Sequence, residues 1–309
     1  MNIKNKKIKV LELPGMDITM PLFSFGTGTP KISIIAGIHG NEETGLMIIK
    51  KVFDYLSNKE LKGTLQVLPS CNSLAQGFGS RVIPGFDYKD LNRQFPGSSD
   101  GQFIPQLANK IFNLIKDSTC VIDLHTFNML CPIVGVFCRS KDLNKNQRVL
   151  KAIMRMEIDM IWEINTESVE DIRFKGDLAD ALKNTSSDYI SLETPKIYRI
   201  TKNELNRSVK SILNLLRYYG CLKGNIGVIK DVPIVKRFDL RSVNSGLFLP
   251  IKRPLKLVKK GEIIGEIYSL KNYKVNKIKS VKDGLVMMIR DKSLVSSGDK
   301  LLAIGKIIN

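Results

Sequence analysis

Two histidines and a glutamate have the residue types and positions needed to hold a metal ion. His39 and Glu42 form an H-x-x-E pair in "AGIHGNEETG" (36–45), between an apolar run and a stretch with helical spacing. His125, the chain's other histidine, ends the apolar run "CVIDLH". Imidazole and carboxylate groups suit Zn²⁺, whose catalytic sites have three protein ligands and an open position. The pattern favours one metal ion within reach of both histidines. The alternative is that the histidines are unrelated surface or core residues that bind no metal.

The spacing around His39 excludes two zinc-protease motifs. H-E-x-x-H requires a glutamate at position 40, which is Gly40, and H-x-x-E-H requires a histidine at position 43, which is Glu43. The pair therefore indicates a different ligand geometry. A purely structural interpretation is that Glu42 and Glu43 are acids favoured by the dipole at a helix start.

Alternating apolar runs and helical spacings must position these residues. The strand-like runs are "KISIIAG", "TLQVLPS", "CVIDLH", "IVGVFC" and "DYISLE", and two short extended segments lie within residues 1–30. Helical spacing covers 42–57, 102–117, about 145–156 and about 202–219. This order predicts an α/β domain with a mostly parallel or mixed sheet flanked by helices. Ligands are expected at the carboxyl ends of its strands.

The pattern changes after "YYGCLKGN" to short β-branched runs separated by Gly and Asp turns. This region contains a weak internal duplication. Residues 245–250 resemble residues 283–288, and residues 258–267 resemble residues 295–304. We predict an α/β domain over 1–220 and a smaller β-rich domain over 221–309, whose role is left open.

Composition narrows the class of protein further. The 309 residues are 43% hydrophobic and carry a net charge of +18, and the five cysteines form no C-x-x-C pair. A globular cytoplasmic protein with reduced thiols, and with no signal peptide or membrane span, is expected. Lysines spread over every segment favour a residue bias over a nucleic-acid surface, since no arginine-rich helix or zinc-finger spacing occurs. The positive field would still attract small anions.

Four ordered motifs carry a resemblance to a known family. They are "AGIHGNEETG", "DLNRQFPG" (90–97), "DLHT" (123–126) and "YISLETP" (189–195). Through these four motifs the chain resembles the succinylglutamate desuccinylase/aspartoacylase family, whose members are relatives of the zinc carboxypeptidases. The resemblance covers roughly residues 15–220 and parts of the C-terminal region. The resemblance implies a zinc-carboxypeptidase-like fold and a single Zn²⁺ per chain.

The resemblance also implies roles for particular residues. His39, Glu42 and His125 would be the zinc ligands, and Glu193 the acid/base that takes a proton from water and delivers it to the leaving amine. Arg81 would stabilise the tetrahedral oxyanion, and Asn92 with Arg93 would bind a substrate carboxylate. The "ETPK" after Glu193 departs from the glycine that the family usually has there.

The leading hypothesis for function is hydrolysis of the amide bond of a small, anionic N-acyl amino acid or N-acyl amine. A carboxypeptidase-like enzyme acting on short peptides would use the same zinc chemistry. A protein of another class, a basic scaffold that binds an acidic partner, would not need His39, Glu42, His125 and Glu193 together. The sequence does not identify the acyl group or the amine, and it leaves a homo-oligomer possible.

Overall fold

The computed structural model describes residues 4–85 and 88–308, so residues 1–3 and 86–87 of the predicted first domain and residue 309 of the second lie outside it. The helices are α1 (Thr44–Leu56), α2 (Ser73–Gly77), α3 (Phe103–Ile115), α4 (Leu143–Ile153), α5 (Leu178–Leu182) and α6 (Lys202–Tyr218). Short 3₁₀ turns cover Leu91–Arg93 and Ile172–Phe174. The four longer predicted helices are present with ends shifted by a few residues.

Strands account for the rest of the regular structure. They are β1 (Lys4–Leu13), β2 (Met16–Thr27), β3 (Lys31–Ala36), β4 (Gly63–Leu68), β5 (Cys120–Thr126), β6 (Val134–Cys138), β7 (Met160–Ile164), β8 (Asp188–Thr194), β9 (Ile234–Arg241), β10 (Gly246–Pro250), β11 (Leu257–Val258), β12 (Ile263–Tyr268), β13 (Val275–Lys279), β14 (Gly284–Ile289), β15 (Leu294–Val295) and β16 (Lys300–Ile307).

One large mixed sheet runs through the molecule. Its order is β1-β2-β4-β3-β5-β8-β6-β7-β9-β16-β14-β11. The strands β4, β3, β5 and β8 are parallel to their neighbours within that group, whereas β6 runs antiparallel to β8. The prediction of a mixed α/β sheet flanked by helices is confirmed. β7, which lies between β6 and β9, was not predicted from the sequence.

Helices cover both faces of the sheet. One core packs α1, α4 and α6 against side chains such as Ile32, Ile34 and Ile122, and the other packs α3 and α5 against residues such as Ile35 and Val121. Successive strand residues point to opposite faces, so a strand covered on both sides reads as a continuous apolar run. This is why "KISII" and "CVID" lack polar alternation.

The C-terminal strands belong to two sheets. β9, β16, β14 and β11 extend the large sheet, while β13, β12, β10 and β15 form a separate antiparallel sheet. The pairing repeats: β10 bonds to β12 and β15, and β14 bonds to β16 and β11. Because β9 is parallel to β7, strands from both sides of residue 220 share one sheet. The division at 220 therefore stays a prediction.

Two further observations concern the cysteines and the helices. All five cysteines are buried and free. Within the described ranges, no helix has both the length and the apolarity to cross a bilayer.

Candidate active site

His39 lies in the turn between β3 and α1, where the chain passes close to a neighbouring segment. A Cβ on Gly40 would lie 2.0 Å from the carbonyl carbon of Ala75, so only glycine fits beside this histidine. The His39 side chain is 3% exposed. The tight backbone contact thereby holds the imidazole below the surface at the carboxyl end of β3.

The Glu42 carboxylate joins the two histidines. Its Oε1 lies 2.8 Å from His39 Nδ1, and its Oε2 lies 2.8 Å from His125 Nδ1 and accepts a hydrogen bond from the backbone N–H of Thr126 at 3.0 Å. One potential ligand atom from each of the three side chains lies within 4.8 Å of the others. All three are buried. The structure therefore brings the three predicted ligands together.

An aspartate holds the far nitrogen of each histidine. His39 Nε2 lies 3.1 Å from Asp90 Oδ1, and His125 Nε2 lies 3.0 Å from Asp123 Oδ2, which also accepts a hydrogen bond from Tyr189. Such carboxylates orient a ligating imidazole so that its other nitrogen faces the metal. Here both Nδ1 atoms face Glu42. The contact of Asp90 with His39 was not predicted from the sequence.

The surrounding charges determine the electrostatics of the group. Burial alone would lower the pKa of each imidazole, yet Glu42 and Asp90 raise that of His39, and Asp123 with Glu42 hold that of His125 well above its usual range. Burial would raise the pKa of Glu42, but His39 and His125 keep it well below its usual range. The cluster therefore stabilises positive charge among these side chains.

Arg81 lies beside the same group. Its Nε and Nη2 donate to Asp90 Oδ2 at 3.0 and 2.8 Å, and its Nη1 is 3.5 Å from Glu42 Oε1. Asp90 thus contacts both an imidazole and the guanidinium. Asp90 is the acid of the motif "DLNR", two positions before Asn92. A carboxylate is the usual partner of a guanidinium, so this acid was the one feature of the sequence that could have indicated a contact with an arginine.

Glu193 is the register partner of His125 on the adjacent strand β8. The end of β8 is tied to the start of α1, where Thr44 donates to the Pro195 carbonyl at 2.8 Å. The Glu193 side chain is half-buried and lines the cavity. Desolvation raises its pKa to about 7, although His125 opposes this. Although "ETPK" differs from the family's usual sequence after this glutamate, the Glu193 carboxyl group still lines the cavity.

Asn92 and Arg93 lie in the 3₁₀ turn that follows Asp90. The Asn92 side-chain oxygen accepts a hydrogen bond from the backbone N–H of Leu178, at the start of α5. The Arg93 guanidinium carbon lies 5.4 Å from the centroid of the Phe174 ring. The turn is therefore fixed against the segment between β7 and β8, with Arg93 on the cavity wall.

One cavity of about 390 Å³ connects all seven sequence-predicted residues. They are His39, Glu42, Arg81, Asn92, Arg93, His125 and Glu193. Its far wall contains residues that the sequence analysis missed, chiefly Asp177, Arg173, Arg237, Asp239 and Lys300. No local pattern distinguishes these charged residues from solvent-exposed ones. A cavity of this size, with convergent polar groups, suits a small molecule.

The fold and the cavity together define a class: α/β proteins with a buried His-Glu-His group at the carboxyl edge of a mixed sheet. Residues 28–219 match the succinylglutamate desuccinylase/aspartoacylase catalytic domain. The chain belongs to this family, as the four motifs predicted. Membership supports a hydrolytic, deacylating enzyme.

Similar proteins agree with this assignment. The chain is 24% identical to N-alpha-acetyl-L-2,4-diaminobutyric acid deacetylase from Halomonas elongata, over 90% of this chain and 83% of that protein. A succinylglutamate desuccinylase/aspartoacylase from Rhodobacter sphaeroides has the same fold, with a TM-score of 0.86, 19% identity and coverage of 99% and 96% of the two chains. The product-bound structure of the ectoine utilization protein EutE (DoeB) from Ruegeria pomeroyi matches with a TM-score of 0.85 and 19% identity, and the match covers 98% of this chain and 95% of that chain.

Proposed function

We propose that this protein is a zinc-dependent amidohydrolase that removes the acyl group from a small, anionic N-acyl amino acid or N-acyl amine. The observation that carries the proposal is the convergence of His39 Nδ1, His125 Nδ1 and the Glu42 carboxylate in a cavity that Glu193 and Arg93 also line. The deacetylase activity named for the Halomonas relative supports the reaction type.

The donor set fits a divalent metal. Two imidazole nitrogens and one carboxylate are typical zinc ligands, and the far nitrogens of both rings are held by Asp90 and Asp123. Bound there, zinc would supply Lewis acidity to the scissile carbonyl. Zinc is preferred over other divalent ions on ligand type.

Glu193 is assigned the proton transfers. Its carboxylate takes a proton from the attacking water and later gives a proton to the nitrogen of the leaving amine, so the amide C–N bond breaks to a carboxylate and an amine. As the register partner of His125 on the neighbouring strand, it lies one strand spacing from one of the predicted ligands. Because the Glu193 side chain is partly exposed to the cavity, a bound substrate can reach its carboxyl group.

Two arginines are assigned to charge on the substrate. Arg81, close to His39 and Glu42, binds the oxyanion that develops on the carbonyl oxygen. Arg93 binds a substrate carboxylate through its planar fork of N–H groups. Asn92, which lines the same cavity, is assigned to that carboxylate together with Arg93, and its side-chain oxygen accepts a hydrogen bond from the backbone N–H of Leu178.

The test is a substrate screen combined with metal analysis. Purified protein loaded with zinc is expected to release amine from N-acyl amino acids, and to bind about one metal per chain by plasma mass spectrometry. Short peptides in the same screen test the peptidase alternative. A protein that binds no zinc and cleaves nothing in the screen would instead favour the scaffold alternative.

A further inference from the structure

A groove of about 760 Å³ lies between strand β1 and helix α3. Residues 8–12 of β1 form one wall. The helix contributes Gln106, Asn109, Lys110 and Asn113, which are three or four positions apart and therefore share one face. The groove has no lining residue in common with the active-site cavity. It is a separate feature of the molecule, which the proposed reaction does not use.

Strand β1 has a free edge beside this groove. It stands at the end of the large sheet, and β2 is its one neighbour among the strands that the structure describes. Lys7 lies opposite Pro21 of β2, and a proline has no N–H. Opposite residues of an antiparallel pair exchange either two hydrogen bonds or none, so this pair exchanges none. The backbone N–H and C=O of Lys7 therefore point to the free edge, where another strand can bind them.

The two faces of β1 differ in character. Ile8 is half-buried and Val10 is buried, and both pack in the core that α3 shares, whereas Lys7 and Lys9 are exposed. Leu114 extends the apolar part of the groove from the helix side. Side chains alternate between the faces of a strand, so a strand added to β1 would have one row at the apolar groove and the other row at the lysines. Alternating aliphatic and acidic residues would match both faces.

Positive charge dominates this edge. Four of its lysines make no ion pair with any residue in 4–85 or 88–308; they are Lys4, Lys6, Lys7 and Lys110. Lys9 pairs with Glu12, the acid of the groove lining, so the charge of that acid is compensated. Lysines on an edge oppose pairing with a second copy of the same strand, which would bring lysine against lysine. The same lysines attract a strand of opposite charge.

A nucleic acid would match this groove less well than a polypeptide. Proteins that bind single strands combine positive charge with aromatic rings on which bases stack. None of the described residues that line the groove is aromatic. The free edge instead offers backbone N–H and C=O groups, which a second polypeptide backbone satisfies. These features favour a polypeptide as the occupant.

We propose that the free edge of β1 and the adjoining groove bind an extended acidic segment of a partner protein, which adds to the large sheet as a further strand. Five residues of strand cover about 17 Å, so residues 8–12 offer a groove about five residues long. The lysines at positions 4–7 continue the binding edge beyond the groove. This interaction is independent of the proposed deacylation, because it uses no residue of the active-site cavity.

A synthetic peptide of alternating glutamate and valine tests strand addition on the full chain. Fluorescence anisotropy of the labelled peptide measures its affinity. The same peptide with every backbone nitrogen methylated keeps its charges but has no N–H donors, and we expect it to bind at least about tenfold more weakly. Equal affinities of the two peptides would overturn strand addition, because attraction between charges alone would then explain the binding. Absence of binding by the unmethylated peptide would overturn it as well.

Variants at position 7 separate the backbone N–H from the side-chain charge. Lys7→Ala removes the charge and keeps the N–H, whereas Lys7→Pro removes both. Lys7→Pro is expected to bind the peptide about fivefold more weakly than Lys7→Ala, since one further hydrogen bond is lost. Equal affinities of the two variants would contradict pairing at this edge. Should Lys7→Pro fail to fold in thermal melting, the methylated peptide decides whether the backbone is used.

Charge reversal assigns the binding to β1. Lys6→Glu combined with Lys7→Glu is expected to weaken peptide binding at least about tenfold. Lys259→Glu combined with Lys260→Glu is the matched control, because these are also two adjacent exposed lysines. Equal effects of the two double variants would attribute the binding to the net charge of +18 and would overturn the proposal.

Two further measurements separate this proposal from its alternatives. Single-stranded oligothymidylate is the probe for a nucleic acid, and tighter binding of this probe than of the peptide, lost on reversal of Lys6 and Lys7, would overturn the choice of a polypeptide. Weaker binding of the oligonucleotide supports that choice. Release of amine from N-acyl amino acids should be unchanged in the same double variant. Peptide binding by a protein that cleaves no substrate would contradict only the deacylase function.

Discussion

His125 and Glu193 are register partners on the neighbouring parallel strands β5 and β8. Partners in a parallel pair lie on the same face, about 4.8 Å apart across the sheet. One edge of the sheet therefore holds a predicted metal ligand next to the residue assigned to proton transfer. The two roles are separable by mutation, because only one of these side chains contacts Glu42.

Glu193→Gln is expected to retain zinc and to lose turnover by about 10²- to 10⁴-fold, since the amide cannot accept the proton of water. His39→Ala is expected to lose both metal and turnover, because it removes a ligand. Plasma mass spectrometry and kcat measurements on the same preparations check this. Equal metal loss in the two variants would contradict the division of roles.

Asp90→Asn is expected to weaken zinc binding about 10- to 100-fold, because the amide no longer fixes His39 Nε2 as a carboxylate does. Competition with a chromogenic chelator measures the affinity. Asp100→Asn is the control, as this exposed acid lies in the following segment and contacts Ser98. Unchanged affinity in Asp90→Asn would show that His39 does not need this partner.

Arg93→Ala is expected to reduce kcat/KM about 10- to 100-fold for a substrate with a free carboxylate, because a charge-assisted pair is lost. The primary-amide analogue of that substrate should be affected far less. Arg253→Ala, at an exposed position, serves as the control for loss of one positive charge. An equally large effect on the amide analogue would disprove the clamp.

Gly40→Ala is expected to destabilise the fold by about 1 to 3 kcal/mol and to reduce zinc retention, because the new Cβ overlaps the Ala75 carbonyl and displaces His39. Gly77→Ala is the matched control, since nothing lies within 4 Å of its added Cβ. Thermal melting and metal content are measured for both. Similar values for the two variants would mean that the turn adapts.

Asp177 makes stability depend on pH. Burial raises its pKa from 3.8 to about 7, so this group's contribution is fully present below pH 3.8 and is lost as pH rises through 7. Asp177→Asn stays neutral and keeps an acceptor for the Asp180 N–H. Urea unfolding should find it more stable than the parent at about pH 8, by on the order of 2 to 4 kcal/mol, with the difference shrinking toward pH 4.

Asp142→Asn is the control for that experiment. Asp142 caps α4 in the same way, accepting a hydrogen bond from Lys145 N, but it is exposed. Its substitution should not change the slope of stability against pH. A parallel pH response of the Asp177→Asn variant and the parent would rule out Asp177 as the titrating group.

The sequence by itself determined the alternation of strands and helices and the motifs of the site. Apolar runs and helical spacings are local patterns, because side-chain direction repeats every two residues in a strand and every 3.6 in a helix. His39, His125 and Glu193 could be located at strand ends for the same reason. Parallel strands end at one edge, which explains why residues distant in the chain meet there.

Only the tertiary structure decided which residues form the rest of the cavity. Asp90 lies 51 positions from His39, and the strands with Arg237 and Lys300 join the large sheet through pairing with β7 and with each other. Backbone hydrogen bonds between strands are made by every residue type, so no local pattern names the partner. A charged residue on a short strand resembles a solvent-exposed one until the strand order brings it against a cavity.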